Sequence, residues 1–62
     1  MRPNIKIGSK VLHTGLELIG TVVQSKGYYY TVDLSHDGRM LIVHCLDEEL
    51  VPLDAKGLKV ED

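Results

Sequence analysis

The sequence predicts an all-β domain, a small five-stranded barrel with one 3₁₀ turn ahead of its last strand. Three observations carry that expectation. Glycines stand at positions 8, 15, 20, 27, 38 and 57, and the short segments between them are rich in valine, isoleucine, threonine and tyrosine, which pack well on a pleated surface. Strands recurring every 8–12 residues or so, with turn signals between them, mark a sandwich or barrel. No stretch keeps apolar residues at helical spacing long enough to make a helix.

The first strand spans about residues 10–14, after a turn at Gly8-Ser9, with Val11 inward. The second covers roughly 18–25, its faces being Leu18, Gly20, Val22 and Ile19, Thr21, Val23. Gly20 within it marks a bend where another backbone comes close, and Ser25-Lys26-Gly27 turns the chain. The third strand, 28–34, alternates most clearly. Asp33 belongs to the wet face with Tyr29 and Thr31, so Tyr30, Val32 and Leu34 face the core. Asp37-Gly38 then supplies the positive φ of a two-residue hairpin turn, and the fourth strand covers 39–45. Leu-Asp-Glu-Glu-Leu at 46–50 reads as a single helical turn with both leucines inward. Val51-Pro52-Leu53 is an edge strand, because proline donates nothing to a ladder.

Residues 1–6 are thus an N-terminal segment, 7–53 the barrel, and 54–62 an acidic tail expected to fray. The expected core is Val11, Val22, Tyr30, Val32, Leu34, Val43, Leu46 and Leu50. A chain of 62 residues buries only about 60% of its unfolded surface, so this core must be small.

Ile7-Gly8-Ser9-Lys10-Val11, then Gly15, then Gly20-Thr21-Val22, resembles the opening of KOW- and Tudor-type members of the SH3-like barrel superfamily. Tyr30-Thr31-Val32-Asp33-Leu34, Asp37-Gly38-Arg39 and residues 46–53 are similar to their distal hairpin and closing strand. The resemblance is one of fold and covers about residues 7–53. The individual activities do not come with it. There is no tryptophan for a proline-binding groove, the three tyrosines sit on one strand rather than around a cage, and the loop Thr14-Gly15-Leu16-Glu17-Leu18 lacks the basic residues of a KOW motif.

Charge and motifs narrow the function by exclusion. The net charge is −2, with a slight basic excess in residues 1–44 and acidic residues at 47, 48, 49, 54, 61 and 62. That balance is too weak for a strong nucleic-acid footprint. The single cysteine forbids an internal disulfide and a cysteine-based zinc cluster. His44 and Cys45 are successive strand residues and so point to opposite faces, while His36 sits at a hairpin tip; no metal site is expected. Asp47, Glu48 and Glu49 beside Cys45 disfavour a thiolate nucleophile, and Cys45 reads as a core or rim residue. The three acids read as a solvated face.

No phosphate loop, Ser-His-Asp pattern or dinucleotide fingerprint is present, so the expectation is no enzyme, no catalytic residue and no cofactor. No apolar run approaches the roughly 18 residues of a membrane span, and Met-Arg-Pro-Asn-Ile-Lys has no signal-peptide core. A cytoplasmic protein without membrane contact is expected.

Two features point to binding. In the tyrosine run, Tyr28 and Tyr30 read as core, whereas Tyr29 with Thr31 on the outer face would anchor a partner at low entropic cost. The run Met40-Leu41-Ile42-Val43 is apolar on both faces of a strand that ought to alternate. With Leu41 and Val43 inward, Met40 and Ile42 are left outside, unless Ile5 and Ile7 or Leu58 and Val60 fold over them. The expected function is a non-catalytic protein-interaction or accessory-subunit module, taking a protein partner or a second copy through Tyr29, Thr31, Met40 and Ile42. The alternative is a nucleic-acid- or ribosome-associated KOW-like module stacking bases on tyrosine.

Overall fold

A computed structural model describes residues 5–60. Its elements are β1 (Lys10–His13), β2 (Leu18–Lys26), β3 (Tyr29–Asp33), β4 (Ile42–Leu46), a 3₁₀ turn (Asp47–Glu49) and β5 (Leu50–Pro52). All five strands lie in one antiparallel sheet in the order β4-β3-β2-β1-β5. Among the described residues no ladder joins β4 to β5, so the sheet is not closed into the expected barrel.

Each connection follows from local chemistry. Between β1 and β2 the chain reverses over four residues, Glu17 taking φ 56° while its N–H donates to the His13 carbonyl at 2.7 Å. The β2–β3 turn is Gly27-Tyr28, with Gly27 at φ 63° and Lys26 opposite Tyr29. It lies beyond the expected Ser25-Lys26-Gly27, because glycine takes the first central position of a two-residue turn. Tyr28 is consequently at the turn and 60% exposed, outside the core it was expected to fill. The β3–β4 hairpin continues past both strands through Leu34 N–H to the Leu41 carbonyl (2.7 Å) and a two-way bridge between His36 and Arg39. Asp37 (φ 53°) and Gly38 (φ 74°) close it, the paired positive φ of a type I′ turn.

A β-bulge is the decisive irregularity. Val22 lies opposite Val32, but Gln24 lies opposite Thr31, leaving Val23 as the extra residue. The bulge flips the parity of the rest of β2. Gln24 and Lys26, which strict alternation would send inward with Val22, come to the outer face beside Thr31 and Tyr29. Gly20 has a separate role. A β-carbon there would sit 2.5 Å from the Asp33 carbonyl and 2.6 Å from Leu34 Cδ2, so only glycine lets the two strands meet.

The core comprises Ile5, Val11, Val22, Tyr30, Val32, Leu34, Cys45 and Leu50. Six of the expected residues are there, and two are not. Val43 is only partly buried, because β4 ends the sheet and has packing on one flank. Leu46 belongs to β4 rather than to the turn; it lies opposite Tyr29, on the other face from Tyr30. Cys45 and Ile5 fill the space instead. The tail also differs from a frayed segment over the residues described. Asp54 Oδ1 accepts the N–H groups of Lys56 and Leu58 at 2.8 and 2.9 Å, and Val60 N–H donates to the Pro52 carbonyl at 2.8 Å.

Candidate binding face on β2, β3 and β4

Register brings the outward residues of three strands into rows. Lys26, Tyr29 and Leu46 form one row, and Gln24, Thr31 and His44 the next. Together Gln24, Lys26, Tyr29, Thr31 and His44 line a shallow groove of about 320 Å³. Thr31 Oγ1 and His44 Nδ1 are 3.0 Å apart, which fixes the imidazole on the groove floor. The Tyr29 ring is held from the turn side by Tyr28, with centroids 4.9 Å apart and planes tilted by 31°.

Ile42 follows His44 on the same face, opposite Asp33, and is 49% exposed; Met40 lies beyond the strand on the hairpin arm and is 81% exposed. Tyr29, Thr31 and Ile42, three of the four residues the sequence proposed for partner contact, therefore occupy one face of the β3–β4 hairpin, and Met40 extends their alternation toward the tip. Among the described residues no tail segment buries Ile42 or Met40. Ile5 lies in the core, while Ile7 and Leu58 are themselves exposed. The sequence reading missed Gln24 and His44 as members of this face. The doublet Val22-Val23, which interrupts a period-two pattern, was the available sign of the bulge that turns Gln24 outward.

Asp33 borders the row of Ile42. Its carboxylate accepts hydrogen bonds from the Ser35 hydroxyl and, at 3.0 Å, the Ser35 N–H. These bonds hold its pKa below the ordinary aspartate value, chiefly through the hydroxyl. On the opposite side of the sheet the Cys45 thiol is pushed up, first by burial and then by the nearby Glu49 carboxylate. It is a poor thiolate, and its sulfur rests 3.8 Å from the Tyr30 carbonyl.

A second polar cluster ties the other end of the sheet together. His13 is buried, and its Nδ1 accepts the Leu16 N–H at 3.1 Å. That leaves the Nε2 proton directed at Glu49 Oε2, 3.4 Å away. Glu49 Oε1 in turn accepts the Leu46 N–H at 3.1 Å, and the Glu49 carbonyl accepts the Thr14 N–H at 3.0 Å. These contacts make the cluster a latch between the β1–β2 loop and the 3₁₀ turn. Among the described residues no three His, Cys, Asp or Glu side chains gather as metal ligands, and no helix is long and apolar enough to cross a membrane. Comparisons with protein-family models, curated proteins and solved structures gave no match.

Proposed function

We propose that the chain is a non-catalytic interaction module of the SH3-like barrel type that takes a protein partner on the outer face of β3 and β4. The carrying observation is the exposure of Tyr29, Ile42 and Met40 along one side of a single hairpin, with Thr31 between the first two across the ladder. Apolar side chains left exposed in a row on a small domain are the usual sign of a protein contact. Tyrosine supplies buried area with little entropy to lose, and aliphatics beside it complete the dry centre of an interface. The strand order, with a 3₁₀ turn between β4 and β5, supports the barrel-type reading.

A second reading draws on the groove itself. Lys26 beside the Tyr29 ring, with His44 on the floor, is the combination that stacks a base and meets a phosphate. One experiment separates the two. The immobilised protein is offered a lysate and, separately, single-stranded RNA, and retention is followed against salt for the wild type, Tyr29→Ala and Ile42→Lys. The protein-binding reading expects one retained protein, insensitive to salt and lost in both variants while circular dichroism stays native. RNA retained at low salt, released steeply as salt rises and lost with Tyr29→Ala, would replace it with the nucleic-acid reading.

A further inference from the structure

We propose that the groove between Lys26, Tyr29 and His44 binds a single adenine nucleoside monophosphate, with the base on the Tyr29 ring and the phosphate at the Lys26 ammonium. The site shares Tyr29 with the partner face but uses neither Ile42 nor Met40, and it does not rest on the protein-partner reading.

The polar groups of the groove are mostly unspent. Among the described residues no hydrogen bond or ion pair engages the Lys26 ammonium or the Gln24 side-chain amide. His44 commits one ring nitrogen, Nδ1, which lies 3.0 Å from Thr31 Oγ1. A threonine hydroxyl both donates and accepts, so it can give its proton to Nδ1 and leave Nε2–H as a free donor. The Tyr29 ring is 53% exposed even though Tyr28 braces it. No carboxylate lines the groove. Asp33, in the row of Ile42, is already bonded to Ser35. An aromatic surface beside three nitrogen donors and no acid selects a flat ring that carries an anion.

The identity of those groups narrows the class. A planar carboxylate is best matched by the fork of an arginine, which the groove lacks; a lysine is a compact point charge of the kind that binds phosphate. Gln24 presents a donor and an acceptor side by side, the pair that meets N7 and the exocyclic amine of adenine. Register sets these groups at the right places. Gln24 and Lys26 lie two residues apart, about 7 Å along the strand, with Thr31 opposite the first and Tyr29 opposite the second. A base stacked on Tyr29 therefore has the ammonium beside it in the same row and the amide one row further on.

Size and charge limit the ligand to one unit. The groove holds about 320 Å³, at the lower end of small-molecule sites, which begin at about 300 Å³. A strand of RNA asks for cations along its whole path. This groove offers one lysine, on a chain of net charge −2. That is poor for a strand and sufficient for one phosphate.

The test is an NMR titration of isotope-labelled protein at low salt. The probes are adenosine monophosphate, uridine monophosphate, adenosine, inorganic phosphate and a short oligoadenylate. Adenosine monophosphate should shift the amides of Lys26, Tyr29, Thr31 and His44 saturably, with a Kd of about 0.1–1 mM. Adenosine and phosphate should each bind at least about tenfold more weakly. Lys26→Ala should weaken the monophosphate about tenfold, to the level of adenosine. Tyr29→Leu should cost about fivefold or more through lost stacking, and Gln24→Ala should level the preference over uridine monophosphate. All three side chains are exposed, and circular dichroism checks that each variant keeps the fold. The comparison of ligands on the wild type needs no variant, so it decides even where one fails to fold. Shifts that do not saturate or that lie outside the groove overturn the proposal, as does equal affinity for adenosine and its monophosphate. A Lys26→Ala protein that binds like the wild type also overturns it. An oligoadenylate held more than about tenfold tighter than the monophosphate replaces the single-unit site with a strand. A groove that takes no nucleotide, on a protein that still captures a partner through Ile42, removes this inference only; nucleotide binding with no partner captured removes the protein reading only.

Discussion

The two ends of this sheet solve the same problem in opposite ways. At the β1–β5 end, three devices act together: proline in the edge strand, a tail that folds back through Val60 onto Pro52, and the His13–Glu49 latch beneath. Backbone donors and acceptors are consumed locally, and the short β5 needs no outside partner. At the β3–β4 end, a hairpin arm projects beyond the core with no described segment paired to its outer edge and Met40, Leu41 and Ile42 exposed. The contrast teaches that edge exposure here is selective. Among the described residues one edge is covered by the chain itself, and the other carries apolar side chains.

Both ends hang on β2, so the largest effect should come from its middle. Gly20→Val places a side chain where the Asp33 carbonyl already stands, and the strands must separate. A loss of roughly 3 kcal/mol or more is expected, enough to unfold much of the population of so small a domain. The urea midpoint checks it, and an unchanged midpoint would show that β2 and β3 do not approach as described.

His13→Ala should come next and break the closed end alone. It removes a buried ring and leaves the Leu16 N–H and the Glu49 carboxylate without that partner, at about 2 kcal/mol. Amide exchange should quicken around Leu50 and Thr14 while the β3–β4 ladder stays protected. Equal loss at both ends would deny the latch its local role.

Gly38→Val tests the open end. The added side chain meets nothing nearby, so only the backbone penalty of φ 74° remains, about 1 kcal/mol. Exchange should quicken in the hairpin arm and leave β1–β5 unaffected. A neutral result would place the turn elsewhere.

The smallest effects are in the pH profile. The Cys45 pKa is raised in the fold, so the protonated thiol is favoured there; its contribution is complete below about pH 9 and declines as pH rises toward the folded value. Cys45→Ala should abolish that alkaline decline. Asp33 has the opposite sign. Its lowered pKa contributes above about pH 4 and is lost as pH falls through the folded value, and Asp33→Asn should flatten the acid limb. The first belongs to the inner side of the edge strand and the second to the hairpin arm, so a thermal-melt series over pH reads the same end of the molecule twice.

Much of this was legible in the residues themselves. Alternation in Tyr30-Thr31-Val32-Asp33-Leu34 names its own inward face, because a carboxylate resists burial. Asp37-Gly38 names its own turn, because few other pairs tolerate two positive φ values in succession. The outward placement of Tyr29, Thr31 and Ile42 follows from the same parity. Ile5 was not legible, since one isoleucine in a polar segment has no period to read.

What the sequence determined by itself was therefore whatever depends on neighbours in the chain: the all-β class, the glycine turns, the one-residue alternation and the proline edge. Tertiary structure alone decided the rest. It inserted the bulge at Val23 that carries Gln24 and Lys26 to the outer face, seated Ile5 in the core, and joined His13 to Glu49 across 36 positions of chain. It also folded the tail onto β5. Each of these is a contest between distant segments for the same space or the same backbone groups, and local pattern does not record who wins it.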